Sequence, residues 1–180
     1  SLDLSNWDTS NVTSMYSIFY GCKSLTSLDV SNLNTSNVNN MSNMFAYCSG
    51  LTSINFGDTF DTSNVNNMSN MFNYCSGLTS LDLSSFNTSA VTNMGYMFYG
   101  CSGLTSLDVS NFNTSKVTSM GGMFNGCSGL TSLDLSNWNT SKATSMSWMF
   151  AYCNNLRNFR RFSFRNFKFN SCCSCEIIKI

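Results

Sequence analysis

The chain has 180 residues, 42% of them hydrophobic, with no Pro, no His and a formal net charge of zero, so one compact unit of ordinary domain size is expected. The lack of His removes the commonest general base and the Ser-His and Cys-His nucleophile pairs, and no glycine loop of the phosphate-cradling kind is present. No apolar run approaches the ~18 residues of a membrane helix, and only 10% of residues are charged, so the polar surface is built from Ser, Thr and Asn, as in a secreted or surface-displayed solenoid.

The opening Ser1-Leu2-Asp3-Leu4-Ser5 repeats as Ser27-Leu28-Asp29-Val30-Ser31, so the chain reads as beginning inside a repeat, like a fragment or a processed piece. A missing signal peptide therefore carries no information on localisation. The period is set by Cys22, Cys48, Cys75, Cys101, Cys127 and Cys153, which are separated by 26, 27, 26, 26 and 26 residues. The single 27 reflects an insertion in Gly57-Asp58-Thr59-Phe60. A fixed period of this length signals a solenoid or array.

Each unit opens on Leu-x-x-Leu-x-Leu, as at Leu104, Leu107 and Val109, an alternation that predicts a short strand. Asp3, Asp29, Asp82, Asp108 and Asp134, with Asn55 interrupting, fall between the inward residues and point outward. They form either an acidic stripe for a basic partner or a cation, or a row of solvated strand positions, and the second reading is favoured because carboxylates one rung apart repel. Next comes a turn, Asp8, Asn34, Asp61, Asn87, Asn113 or Asn139 followed by a Thr in every copy, where side chains are expected to satisfy backbone groups between rungs. The preceding series Trp7, Leu33, Phe60, Phe86, Phe112 and Trp138 is either core or a binding stripe, with core favoured.

The unit closes on Met-x-x-Met-Phe-x-x-Cys, as in Met41, Met44, Phe45 and Cys48, present in six copies with Ile18 the one departure. Apolar residues at i, i+3, i+4 and i+7 predict a short helical turn facing the core, and the Ser-Gly after it predicts a helix stop. Stacked strands lie ~4.8 Å apart, whereas packed helices need ~8 to 10 Å, so a full helical layer would bend the stack. The repeat cysteines are expected to be a ladder of buried thiols. Tyr47, Tyr74, Tyr99, Tyr152 and Trp148, at positions that vary between copies, are candidates for an exposed contact surface together with the five aspartates.

The last 24 residues differ: Arg157, Arg160, Arg161, Arg165 and Lys168 interleave with Phe159, Phe162, Phe164, Phe167 and Phe169. A degenerate seventh rung or a cap is favoured over a nucleic-acid or membrane grip. Cys172, Cys173 and Cys175 fall short of the four ligands of a zinc site.

The pattern Leu-Thr-Ser-Leu-Asp-Leu-Ser-Asn-Phe-Asn-Thr-Ser-x-Val-Thr-x-Met-x-x-Met-Phe-x-x-Cys-Ser-Gly over residues 1–156 resembles the BspA-like bacterial surface-protein repeat, a divergent leucine-rich repeat also found in mycoplasma-type lipoproteins. The resemblance implies a non-catalytic module at the cell surface or secreted, with a protein of a host or another cell as partner. The expectations are thus an α/β solenoid, a leucine-rich-repeat-like right-handed stack with one parallel sheet and short helical turns, with six rungs over 1–156 and a degenerate rung, cap or basic tail over 157–180. No catalytic residue, metal, cofactor, nucleic-acid partner or transmembrane segment is expected.

Overall fold

The computed structural model describes residues 2–160. The chain turns at corners made by short polar side chains, each accepting the backbone N–H two residues on, the local bond that favours Asp, Asn and Ser in turns. After the strand position, Asp3, Asp29, Asp82, Asp108 and Asp134 accept from Ser5, Ser31, Ser84, Ser110 and Ser136 at 2.9–3.0 Å. In the next turn, Asp8, Asn34, Asp61, Asn87, Asn113 and Asn139 accept from the serines two residues later at 2.8–3.1 Å. Ahead of the Met motif, Ser14, Asn40, Asn67 and Asn93 do the same at 2.9–3.3 Å.

Equivalent positions of successive repeats pair in parallel. Five single-residue bridges join Ser14, Asn40, Asn67, Asn93, Ser119 and Ser145 in turn, a continuous ladder just ahead of the Met motif. The strand position is less regular than the expected single sheet. β1 (Ser27–Asp29) pairs with β2 (Ser53–Asn55), and β3 (Ser132–Asp134) with β4 (Asn158–Arg160), in two separate two-stranded parallel sheets. No strand forms at 80–82 or 106–108, although both keep the Leu-x-Leu pattern.

The expected helical turn is absent, and among the described residues there is no helix. In the second copy the N–H groups of Met41, Asn43, Phe45 and Tyr47 reach carbonyls of the next repeat at 2.6–2.9 Å, while Met44, Ala46 and Cys48 bond three residues back at 3.1–3.2 Å. The motif is therefore a chain of tight turns bonded alternately inward to itself and onward to its neighbour. Its signature is a left-handed residue two and six places after the first Met. Ser17, Asn43, Tyr47, Asn70, Tyr74, Tyr96, Trp148 and Tyr152 have φ of 55–62°, and Gly21, Gly100, Gly122 and Gly126 fill the other four places. No right-handed helix passes through such residues. The same i, i+3, i+4, i+7 side chains still face inward, and the motif stacks at the backbone-bonded spacing that a helical layer would have prevented.

The glycine of Ser-Gly serves close approach rather than a helix stop. A Cβ on Gly77, Gly103 or Gly129 would stand 2.5–2.8 Å from carbonyl oxygens of the preceding repeat.

Between the faces, Phe19, Phe45, Phe72, Phe98, Phe124 and Phe150 form one stack with ring centroids 5.5–5.8 Å apart and planes within 9°. The repeated Thr is a rung-to-rung staple: Thr9, Thr35, Thr62, Thr88 and Thr114 are buried and donate to a backbone carbonyl of the next repeat at 2.8–3.2 Å. Thr62, Thr88 and Thr114 also accept the N–H of Asn87, Asn113 and Asn139 at 2.8 Å. The inter-rung role expected of the Asp/Asn turn ladder thus belongs to the threonine beside it, while the Asp/Asn oxygen serves its own repeat.

Candidate functional site

The candidate residues fall on two separate faces. Asp3, Asp29, Asp82, Asp108 and Asp134 lie exposed along the strand side, each with one oxygen committed to its corner. At Asp3, Asp82 and Asp108 the backbone N–H and then the hydroxyl of the following Ser hold the carboxyl below its ordinary value. At Asp29 the Ser31 hydroxyl leads, with the Asn55 amide contributing. A groove of about 690 Å³ runs beside Asp108 and Asp134, lined also by Ser106, Leu107, Ser132, Leu133, Arg157 and Asn158. Among the described residues no group of three or more His, Cys, Asp or Glu is placed to hold a metal ion.

The turn side carries the aromatics. Left-handed residues project outward between buried ones, which explains how Tyr47, Tyr74, Tyr96, Trp148 and Tyr152 come to be exposed beside a fully buried Met and Phe stripe. Tyr20, Tyr47, Tyr74 and Tyr99 form a continuous row with ring centroids 5.0–5.3 Å apart. Tyr96 joins it through Tyr99 at 5.8 Å. A hydrogen bond with Tyr74 raises the Tyr99 phenol above its usual value. Trp148 and Tyr152 stand apart, separated from the row by Gly121, Gly122 and Gly126, so the structure brings together Tyr47, Tyr74 and Tyr99 but not the last two candidates. Sequence reading did not single out Tyr20, although it lies at the same edge of the motif. The segments 15–22, 41–50, 68–77, 94–103, 120–129 and 146–155 contain no charged residue, so this face is neutral as well as aromatic.

The repeat cysteines are free thiols, buried except for the half-buried Cys22. Each thiol from Cys48 to Cys153 donates to the carbonyl of the preceding repeat's Phe at 3.0 Å. Burial pushes the Cys48 thiol up to about 11 and those of Cys75, Cys101 and Cys127 higher still, so none is a poised nucleophile. Leu33, Phe60, Phe86, Phe112 and Trp138 are core, while Trp7 is 42% exposed and stacks on Phe19 at 6.4 Å. Arg161, Phe162, Phe164, Arg165, Phe167, Lys168, Phe169 and the Cys172, Cys173, Cys175 group lie outside the described residues. No helix of the described residues is long and apolar enough to cross a membrane.

Parallel coils joined by backbone ladders, with their reactive groups buried, define a repeat protein of the solenoid class. The chain belongs to the family described as "Mycoplasma protein of unknown function, DUF285", which matches residues 1–102 and again 76–171. Among solved structures it is similar to the T. pallidum leucine-rich-repeat protein TpLRR, at 17% identity and a TM-score of 0.45 over 84% of this chain and 75% of that one. It is also similar to a leucine-rich-repeat protein from Bacteroides ovatus, at 22% identity and a TM-score of 0.48 over 82% of this chain. The chain spans 40% of the Bacteroides protein. No curated protein matches it.

Proposed function

We propose that this chain is a non-catalytic recognition module of the BspA-like leucine-rich-repeat type. Its six rungs stand at a cell surface or in a secreted protein and contact a protein on a host or neighbouring cell. The observation that carries this reading is the uncharged tyrosine row on the turn face, with Tyr20, Tyr47 and Tyr74 exposed and Tyr99 half-buried at its end. Tyr gives a large amphipathic contact area with little rotamer entropy to lose, which is why it is enriched at interfaces. The experiment is binding of the fluorescently labelled chain to intact cultured cells, before and after protease stripping. The wild-type chain is expected to bind untreated cells only, and Tyr47→Ser with Tyr74→Ser is expected to abolish binding without lowering thermal stability by more than a few degrees. Binding that survives both stripping and the double substitution refutes a protein partner on this face.

The stacking of Tyr47 on Tyr74, with planes 22° apart, favours a second reading. In that reading the row zips the rungs together, and the chain is a structural spacer within a larger surface protein. The double substitution then lowers stability and leaves cell binding unchanged.

A further inference from the structure

The inter-repeat spacing is uniform on one side of the coil and graded on the other. Beside the single-residue bridges, the N–H of Asn39, Asn66, Thr92, Thr118 and Thr144 reaches the preceding repeat at 2.8–2.9 Å without exception. At the strand side the equivalent bonds differ by step: Thr52 to Thr26 is 2.8 Å, Thr105 to Thr79 is 3.5 Å, Thr131 to Thr105 is 3.2 Å and Arg157 to Thr131 is 3.0 Å. The grading follows the charge of the residues brought opposite each other three places on. In the shortest step Asp29 faces Asn55, whose amide donates to the carboxylate at 3.2 Å. In the 3.0 Å step Asp134 faces Arg160 in register. In the two long steps Asp82 is followed by Asp108, and Asp108 by Asp134, one repeat apart.

Strand pairing follows the same division. Pairs form at Asp29–Asn55 and Asp134–Arg160, whereas 80–82 and 106–108 form none. Val30 donates to Asn55 at 2.9 Å, while the corresponding N–H groups of Leu83 and Val109 make no backbone hydrogen bond among the described residues. Leu81 and Leu107 are 9% and 7% exposed where Leu28 and Leu133 are 3%. The step from Asn55 to Asp82 carries the Gly57–Phe60 insertion and falls outside this comparison. Like charges directly opposite on a ladder are destabilising.

We infer that the strand face contains a charge-gated seam: ionised Asp82, Asp108 and Asp134 hold the central repeats apart, and neutralising or screening them lets the parallel ladder close. The other charges bordering the seam are Asp58 beside Asp82 and Arg157 beside Asp108 and Asp134. Acid is a mixed trigger, because it removes the repulsion but also weakens every corner, a protonated carboxyl accepting the backbone N–H less strongly than a carboxylate. An amide is a good one, since it keeps the corner bond, removes the repulsion and adds a donor toward the neighbouring carboxylate, as Asn55 does. Salt acts on the same term without changing any residue. The seam is independent of which partner the module binds.

The test is amide hydrogen exchange of Leu83 and Val109 in the full chain. Asp108→Asn, which removes one like-charge contact from each of the two long steps, is expected to slow each by roughly 1.4- to fivefold. Asn55→Asp is expected to speed Val30, and raising salt from about 10 mM to about 1 M, which shortens the screening length from ~30 to ~3 Å, to slow Leu83 and Val109 in the wild type. Exchange at Leu83 and Val109 that responds neither to Asp108→Asn nor to salt overturns the inference. Equal slowing by Asp108→Glu, which keeps the charge, overturns it as well.

Discussion

Phe98→Ala probes the shared core where it is most constrained. The ring is fully buried and lies between Phe72 and Phe124, each 5.6 Å away with planes 3° and 8° apart. Truncation of a core Phe to Ala costs about 3–5 kcal/mol, depending on how far the site can collapse. Here collapse is blocked on both sides. On the following rung the Phe98 N–H is held by Met123 at 2.9 Å and its carbonyl takes the Cys127 thiol at 3.0 Å. On the preceding rung the Phe72 N–H is held by Met97 at 2.9 Å and its carbonyl takes the Cys101 thiol at 3.0 Å, so neither rung can close on the cavity. Two face-to-face ring contacts, each of ~0.5–1.5 kcal/mol, are lost together. The expectation is therefore the upper part of the range, about 4–5 kcal/mol. Urea unfolding followed by tryptophan fluorescence reads the change, because Trp138 sits 6.1 Å from Phe124, one rung away. The exposed Tyr20→Ala, which gives up one tilted contact with Tyr47, should cost no more than ~1.5 kcal/mol. A loss below about 0.5 kcal/mol for Phe98→Ala, the level of an ordinary surface change, would refute the stacked core.

Thr88→Val removes a staple that donates to the Asn113 carbonyl and accepts its N–H, leaving part-buried backbone groups unpaired at a cost of about 1–3 kcal/mol, measured by the same unfolding curves. Gly103→Ala drives a methyl to 2.5 Å from the Ser76 carbonyl and should destabilise by about 1–3 kcal/mol or more, whereas a neutral result would mean the rungs sit further apart. The raised thiols make a pH prediction. The neutral thiol is favoured in the folded state, so stability is complete below the ordinary thiol value of 9.0 and is lost as pH rises through about 11 at Cys48. Thermal melts should therefore fall steeply above pH 9 and recover part of that loss in Cys48→Ala. The aspartates act in the opposite direction: their folded-state values are lowered, so their contribution is present above the ordinary carboxyl range and fades on acidification below it.

Much of this was readable from residue type and period. The buried Met, Phe and Cys positions, the parallel stacking and the core placement of Phe60, Phe86 and Phe112 all follow from a repeat that cannot bury its apolar face alone. The Met motif was misread because i, i+3, i+4, i+7 spacing states which side chains share a face and not how the backbone takes them there. The sequence did hold a signal at the intervening positions: Gly21, Asn43, Asn70, Gly100, Gly122 and Gly126 are the residue types that favour left-handed backbone, recurring two and six places after Met. Tyr47, Tyr74, Tyr96, Trp148 and Tyr152 hid it, since bulky residues seldom adopt that conformation. The broken strand face was out of reach for a different reason. Alternation marks Leu81 and Leu107 as strand positions, but pairing depends on which charges meet one repeat away, and that requires the register.

The central claim, that the Met motif is a turn ladder bonded to its neighbour, is tested most directly by NMR couplings transmitted through backbone hydrogen bonds. The structure predicts a correlation from the Phe98 amide nitrogen to the Met123 carbonyl carbon, one repeat ahead. A correlation from Phe98 to Met94, four residues back as in an α-helix, would contradict it.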